Sequence, residues 1–437
     1  MLSVQLKDKF TFCLLLIACL QLITSCSIQQ KISKSAKQVI NDSSLLTAHI
    51  GISIYDPGSG KYWYNYQGDK YFVPASNTKI PTCYAAMKYL GDSLVGLKYE
   101  IKEGPSSFIQ GTGDPTFLHP DFKTQPVFDF IKKLQNIVYT DILTFNPIGN
   151  GWSWNDYREA YMAQRSPFPI YGNVAGFKWM EKNEIVASPK FFQKDIKIAY
   201  NNNLEKGFDL YKPWDKNEFT FFEGNAKNID VPFNPDFVTI DELLEDTLEL
   251  QIVHAPFSTV KPSQKIYSQP TDSLLKPMMH RSDNFFAEQS LLMVSNERLG
   301  VMNDEKIIDT LLKTDFKDLP QRPRWADGSG LSRYNLFTPQ DFVAILNKMK
   351  NEFGMERIKV IFPTGGEGTI SNYYKADSNH IFAKTGTLSG VVAFSGFLYT
   401  KKGKLLIFST LVNNHQASST AVRRAVEKFL QGIREKY

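Results

Sequence analysis

Three short patterns place hydroxyl, amine and amide groups at spacings that acyl transfer can use. Ser76-Asn-Thr-Lys79 sets a Ser and a Lys three residues apart. On a helix that spacing is one face, so hydroxyl and amine come within hydrogen-bond reach. A Ser near a helix start also has backbone N–H groups and the positive end of the dipole beside it, which suits an oxyanion forming on an attacked carbonyl. The Lys can take the proton only if burial or a second cation lowers its pKa, and burial with Lys384 is the expected cause. Ser282-Asp-Asn284 supplies a hydroxyl that can relay a proton and an amide that can hold a carbonyl, though Ser and Asp are also good helix starters. Lys384-Thr-Gly-Thr387 joins a cation and a hydroxyl that together can hold a carboxylate. Its Gly386 has no side chain where another backbone, such as a bound peptide, could approach.

The elements that must position these groups follow from periodicity. Ile50–Tyr55 alternates as a strand, Asp56-Pro-Gly-Ser-Gly60 is turn chemistry, and Lys61–Tyr66 returns as an aromatic strand. After Pro74, Ser76, Ile80, Cys83 and Met87 recur at helical steps until Gly91, with Pro81 in or just past the first turn and Cys83 expected as a small buried hydrophobe. Helices are predicted from about Asn284 through Met293, from Pro339 to Lys350, and from Ser418 to Lys436. Val391–Tyr399 and Leu405–Val412 form a hairpin over Lys401-Lys-Gly-Lys404. Residues 98–265 read differently, with frequent turns, short helices (Phe128–Leu134, Asp241–Leu250) and strand pieces such as Glu184–Ala187. They are expected to be an inserted domain within a catalytic domain built from 27–97 and 266–437.

Composition bounds the partners. With 437 residues the chain exceeds the usual size of one core, so two domains or one large insertion are expected. Fifty basic and 45 acidic residues give a net charge of +5 without a long basic run, which speaks against nucleic acid. There is no CxxC, no HExxH and no His pair at ligand spacing, so neither metal nor cofactor is expected. Lys7 and Lys9 precede an apolar run, Phe10 through Ile23, and then Ile-Thr-Ser-Cys26. Residues 1–25 look like a bacterial lipoprotein signal, with Cys26 lipidated as the new N-terminus, followed by a polar tether over 27–38; an ordinary signal peptide is the alternative. The expectation is an exported protein held by lipid, periplasmic or on the outer membrane. After processing Cys83 is the remaining thiol, so the fold rests on its core.

SxxK, SxN and KTG in this order, on a helix start, a loop-to-helix junction and a strand, match the signature of serine acyl-transfer enzymes. The chain resembles the D-alanyl-D-alanine carboxypeptidase/endopeptidase family, the class C low-molecular-mass penicillin-binding proteins. The resemblance runs from about Ile50 to His415 and includes Gly111-Thr-Gly-Asp-Pro115, Asp283-Asn-Phe-Phe-Ala-Glu-Gln289, Asp327-Gly-Ser-Gly-Leu-Ser-Arg-Tyr-Asn335 and the long gap between Ser76 and Ser282. It implies an α/β (α+β) fold of the penicillin-binding, serine β-lactamase-like transpeptidase type, with an antiparallel sheet flanked by helices and a large inserted domain. It also implies roles. Ser76 attacks the carbonyl between two terminal D-alanines, with Lys79 as base and the N–H groups of Ser76 and Thr387 as the oxyanion hole. Ser282 passes a proton to the leaving amine, Asn284 binds the peptide amide, and Lys384 with Thr385 grips the terminal carboxylate. Asp156, Arg333 and Tyr161 match a pocket for the diaminopimelate side chain. The implied partners are peptidoglycan stem peptides ending in D-Ala-D-Ala, β-lactams, and the membrane through the lipid. A β-lactamase of the same fold and a catalytically silent peptidoglycan-binding lipoprotein are the alternatives; no ExxLN segment follows Ser282 to support the first.

Overall fold

The structure is a computed structural model that describes residues 30–437 apart from 31, 38, 103–105, 142, 181–183, 200–208 and 223–227. The expected leader and the lipidation site Cys26 lie outside the described residues. The chain divides into two compact units, residues 1–77, 319–323 and 336–437 in one and 78–318 with 324–335 in the other.

The first unit is a five-stranded antiparallel sheet with helices on its faces. Its strands are β1 (His49–Asp56), β2 (Lys61–Tyr66), β3 (Ile381–Leu388), β4 (Val391–Tyr399) and β5 (Leu405–Asn413), in the order β3-β4-β5-β1-β2. Both predicted hairpins are present, and the register pairs Lys384 with Ser395 and Ser395 with Ser409. Because side chains alternate across a strand, Ile50, Ile52, Ile54, Phe394, Phe408 and Val412 share the face that buries Val422, Val426, Phe429, Leu430 and Ile433 of the Ser419–Lys436 helix. The opposite face meets the helix Pro339–Ile361, where a Cβ on Gly51 would lie 2.8 Å from Pro339. That helix starts at a capping box from Thr338 to Asp341, and its first segment runs to within a few residues of the predicted end at Lys350. At Gly354, with φ 74° and ψ 158°, the helical geometry breaks, and a second helical segment continues to Ile361. The expected tether is in part a helix. Residues 32–37 are helical, and Ile32, Ala36 and Val39 are buried against the same core. The polar residues between them hid an apolar i, i+4 pair.

The second unit holds helix α1 (Lys79–Tyr89) and helix α2 (Asn284–Leu299), packed on each other and on the helix Thr271–His280. Beside them lies a five-stranded sheet ordered Ile252–His254, Ile137–Tyr139, Ser107–Gly111, Ser93–Ile101, Gln264–Pro270, with parallel pairs among its first three strands. Among the described residues it also holds two three-stranded sheets. The expected short helices here run Pro126–Ile131 and Phe237–Leu248. α1 begins one residue after the 3-10 turn Ala75–Thr78, so Pro81 sits in the first helical turn, where its missing N–H has no intrahelical partner to lose. α2 starts where Asp283 accepts from the Phe286 N–H at 2.9 Å and ends at Gly300 in the left-handed region (φ 70°). Every residue of α2 from Phe285 to Asn296 is buried. It therefore lacks the polar face by which an end near Met293 was predicted.

Candidate active site

In the first unit, Ser76 sits in the 3-10 turn Ala75–Thr78, entered through Ala75 at φ 47°, a left-handed conformation that is costly for a residue with a Cβ. Asn77 clamps this turn to the sheet: its Nδ2 donates to Ser395 Oγ at 2.7 Å, and Ser395 donates to Ser409 at 2.8 Å. Gly386 explains its own identity. A Cβ there would stand 2.7 Å from the Pro74 carbonyl oxygen and 2.9 Å from the Ser76 nitrogen. The expected close approach exists, but the backbone that approaches is the one carrying Ser76. Lys384 is buried on β3 and donates to the Thr385 carbonyl at 2.8 Å. Thr385 Oγ1 bonds Thr369 at 2.7 Å, and Thr387 Oγ1 accepts from Arg423 at 2.6 Å. Arg423 is a cation beside the strand that the three patterns gave no reason to suspect.

In the second unit, Lys79 is fully buried, and its Nζ donates to Asn284 Oδ1 at 2.6 Å and to the Ser329 carbonyl at 2.8 Å. A neutral amine has two N–H groups and one lone pair. Two acceptors therefore fix the orientation of the amine in the site. Burial lowers the Lys79 pKa to about 8, against the pull of Asp327, Glu288 and Asp283, which raise it. The depression expected from burial is there. Asn284 is oriented by its other end, where Nδ2 donates to the Tyr161 carbonyl at 3.0 Å. Ser282 lies just before it at φ 65°, a second strained residue at a predicted reacting position.

A charged network that the sequence patterns missed holds this arrangement. Glu288, one turn after Asn284 on α2, accepts from the Ser329 N–H at 2.7 Å, so it fixes the peptide whose carbonyl receives Lys79. Arg165, 1 % exposed, donates to Glu288 at 3.3 Å, to Asp304 at 2.7 Å and to the Asn146 carbonyl at 2.6 Å. Asp327 accepts from the Gly330 and Ser332 N–H groups, Asn335 Nδ2 and Trp152 Nε1. Its loop is pressed onto α2 at Gly328, where a Cβ would meet the Ala287 carbonyl at 2.8 Å, and onto α1 through Thr82, which donates to the Gly328 carbonyl at 2.7 Å. A lone Glu in the apolar run Phe285–Leu292 was a readable signal for Glu288; Arg165 carried none.

The three pocket residues lie in this same unit. Asp156 closes a 3-10 turn near Tyr161, whose hydroxyl pKa burial, with Asp156 and Glu159 nearby, raises to about 12. Arg333 is exposed on the Asp327 loop. The two loops meet at Gly151, where a Cβ would lie 2.5 Å from Tyr334 and 2.6 Å from Ser332. A cleft of about 960 Å³ is lined by Tyr161, Ser282 and Asn284 and continues past Lys178, Ser188 and Asp230. Cys83 is buried, as expected of a packing residue.

The chain is similar to known proteins over most of its length. The chain is 24% identical over 459 aligned positions to a D-alanyl-D-alanine carboxypeptidase of Actinomadura sp. (strain R39), covering 89% of this chain and 82% of that one. It is 23% identical to the D-alanyl-D-alanine carboxypeptidase DacB of Haemophilus influenzae, covering 85% and 87%. The crystal structure of penicillin binding protein 4 from Haemophilus influenzae superposes with a TM-score of 0.71 at 21% identity, covering 92% of this chain and 97% of that one, which fixes the penicillin-binding-protein fold. A family model, D-Ala-D-Ala carboxypeptidase 3 (S13), matches residues 32–202 and 244–435. The chain belongs to the D-Ala-D-Ala carboxypeptidase 3 (S13) family of serine peptidases.

Proposed function

We propose that the protein is a D-Ala-D-Ala carboxypeptidase that also cleaves peptidoglycan cross-links, working through an acyl-serine intermediate. The observation that carries the reading is the buried Lys79 amine, held by Asn284 and Ser329 with its pKa near 8, three residues along a continuous helical stretch from Ser76. At pH 7 an ordinary Lys is neutral in well under one molecule in a thousand, whereas a pKa near 8 makes roughly one in ten a base. Ser76 Oγ gives its proton to Lys79 and attacks the carbonyl of the penultimate D-Ala, with the N–H groups of Ser76 and Thr387 taking the oxyanion. Ser282 passes the proton to the departing amine. Asn284 holds the peptide amide, and Lys384 with Thr385 holds the terminal carboxylate. Water then frees the shortened peptide, with Lys79 again as base.

Asp156, Tyr161 and Arg333 are assigned the diaminopimelate side chain, the carboxylate for its ammonium and the guanidinium for its carboxylate. The cleft of about 960 Å³ beside Asn284 is far larger than a single D-Ala needs, which supports action on branched or cross-linked peptides. Penicillin is read as a mimic of D-Ala-D-Ala that stays bound as an acyl adduct, and Cys26 as the lipid anchor of an exported protein.

The intact mass of the mature protein after incubation with benzylpenicillin tests this. A lasting adduct of whole-drug mass on Ser76 is expected. Rapid drug loss without an adduct favours the β-lactamase, and neither outcome in a folded sample favours a silent binding protein.

A further inference from the structure

Two tryptophans stand two residues apart in Gly151-Trp-Ser-Trp-Asn-Asp156 and have opposite fates. Trp152 is buried and donates its N–H to Asp327 at 3.1 Å, so packing and a hydrogen bond account for it. Trp154 is 59% exposed and stacks at 4.2 Å, tilted by 40°, on Trp214, with Tyr157 5.7 Å from Trp214. Trp154 is not what holds the segment in place. Tyr157 donates to the Lys212 carbonyl at 2.8 Å and Arg158 to the Leu210 carbonyl at 2.5 Å, and these bonds tie the two segments together. An indole kept in water on a tethered segment is poorly explained by the core and well explained by a ligand.

A cavity of about 290 Å³ opens beside Trp214, lined also by Gln164, Asp215, Asn234 and Phe237. Asn234 is set in place there: its Oδ1 accepts from Lys212 at 2.9 Å and from Gln164 at 3.2 Å, and its Nδ2 donates to the Trp214 carbonyl at 2.8 Å. Arg165 also borders the cavity, but its guanidinium is bound to Glu288 and Asp304. The Asp215 carboxylate on the rim disfavours an anion. What remains is an aromatic face with neutral amides and one carboxylate around it. Those groups suit a neutral, hydroxyl-rich ring: its C–H face lies on the indoles while its hydroxyl and acetamido groups meet the amides and the carboxylate.

We propose that Trp154, Trp214 and the adjoining cavity bind an N-acetylhexosamine of the glycan strand that carries the stem peptide. This rests on the peptidoglycan reading of the active site. Position supports it. Trp154 opens the 3-10 turn that Asp156 closes, and the Tyr161 carbonyl a few residues further on receives Asn284. Sugar and peptide groups would thus be gripped from one short stretch of chain.

The test titrates the whole mature protein and its Trp154→Ala variant with tri-N-acetylchitotriose by calorimetry. It also compares turnover of a pentapeptide with and without its attached disaccharide. Saturable binding by the wild type is expected, weakened about tenfold in the variant, the worth of one aromatic contact. Trp154→Phe should restore part of it. The variant should lose several-fold in kcat/KM on the disaccharide substrate and nothing on the glycan-free peptide. No binding of the trimer up to about 10 mM, weaker than any useful site, or equal losses on both substrates, overturns the proposal. If the wild type binds the trimer but turns over neither peptide, the carboxypeptidase reading fails and the sugar site stands.

Discussion

Glu288→Gln separates the charge of Glu288 from its place in the structure. The carboxylate accepts from the Ser329 N–H at 2.7 Å, and the Ser329 carbonyl accepts Lys79 at 2.8 Å. One residue spans roughly 3.6 Å from N to O, so the carboxylate and the amine lie within about 9 Å of each other. At an effective dielectric of about 20, unit charges at that distance interact by about 2 kcal/mol, which is between one and two pKa units. Burial and Asp327 raise the Glu288 pKa to about 7, with Arg165 opposing. Above pH 7 it is therefore largely ionised, in the range where Lys79 titrates near 8. The glutamine keeps an oxygen for the Ser329 N–H and removes the charge. The acid limb of the acylation rate by benzylpenicillin should then move down by about one pH unit, from near 8 towards 7. A stopped-flow pH profile reads the midpoint, and thermal unfolding checks that the loss of one buried partner costs only about 1–3 kcal/mol. If the variant folds and acylates with the same midpoint, either Lys79 is not the titrating base or Glu288 does not act on it, and the account of the site is wrong.

Four other outcomes follow from the same geometry. Arg165→Met leaves Glu288 and Asp304 buried without their cation, so urea unfolding should show a loss of about 3–5 kcal/mol; a loss under 1 kcal/mol would mean that the carboxylates are neutral. Gly386→Ala sets a methyl 2.7 Å from the Pro74 carbonyl and 2.9 Å from the Ser76 nitrogen, and penicillin acylation should fall by at least about a hundredfold, the cost of a small misplacement at the reacting centre, while the sheet still forms. Arg333→Ala should impair diaminopimelate-containing peptides much more than simple acyl-D-Ala-D-Ala substrates, and equal loss on both would remove Arg333 from the pocket. Lys79 has a lowered pKa, so the unfolded chain binds a proton that the folded one releases between about pH 8 and 10.5. Folding is penalised below that window and recovers as pH rises through it. The stability of wild type relative to Lys79→Met should therefore climb between pH 8 and 10.5, and a flat difference would deny the buried amine its depressed pKa.

Which parts of the site were legible depended on how far along the chain their physics reaches. The strands around Lys384 and the two hairpins read directly, because alternation and turn residues are local. Gly386 read correctly as a place of close approach, yet which backbone approaches it depends on where Pro74 falls in space, some 300 residues away in sequence. α2 ran past its predicted end because the helix is buried all round, and a periodicity argument needs a wet face to detect. Within the expected tether, the helix over residues 32–37 goes unread for the converse reason: Ile32 and Ala36 are spaced to pack, but polar neighbours mask so short a pair.

The depressed pKa of Lys79 shows the same division at the level of chemistry. SxxK states which residue is to be the base, and its need for a lowered pKa is a local deduction. The means is not local. The sequence suggests burial together with a second cation, Lys384. The fold buries the amine, and it also surrounds it with Asp327, Glu288 and Asp283, all of which oppose the shift. Burial must therefore outweigh three carboxylates, and Arg165 offsets part of their field by holding one of them. A network of this kind titrates as a unit, which is why the Glu288 substitution, rather than any change at Lys79 itself, reports on how the base is tuned.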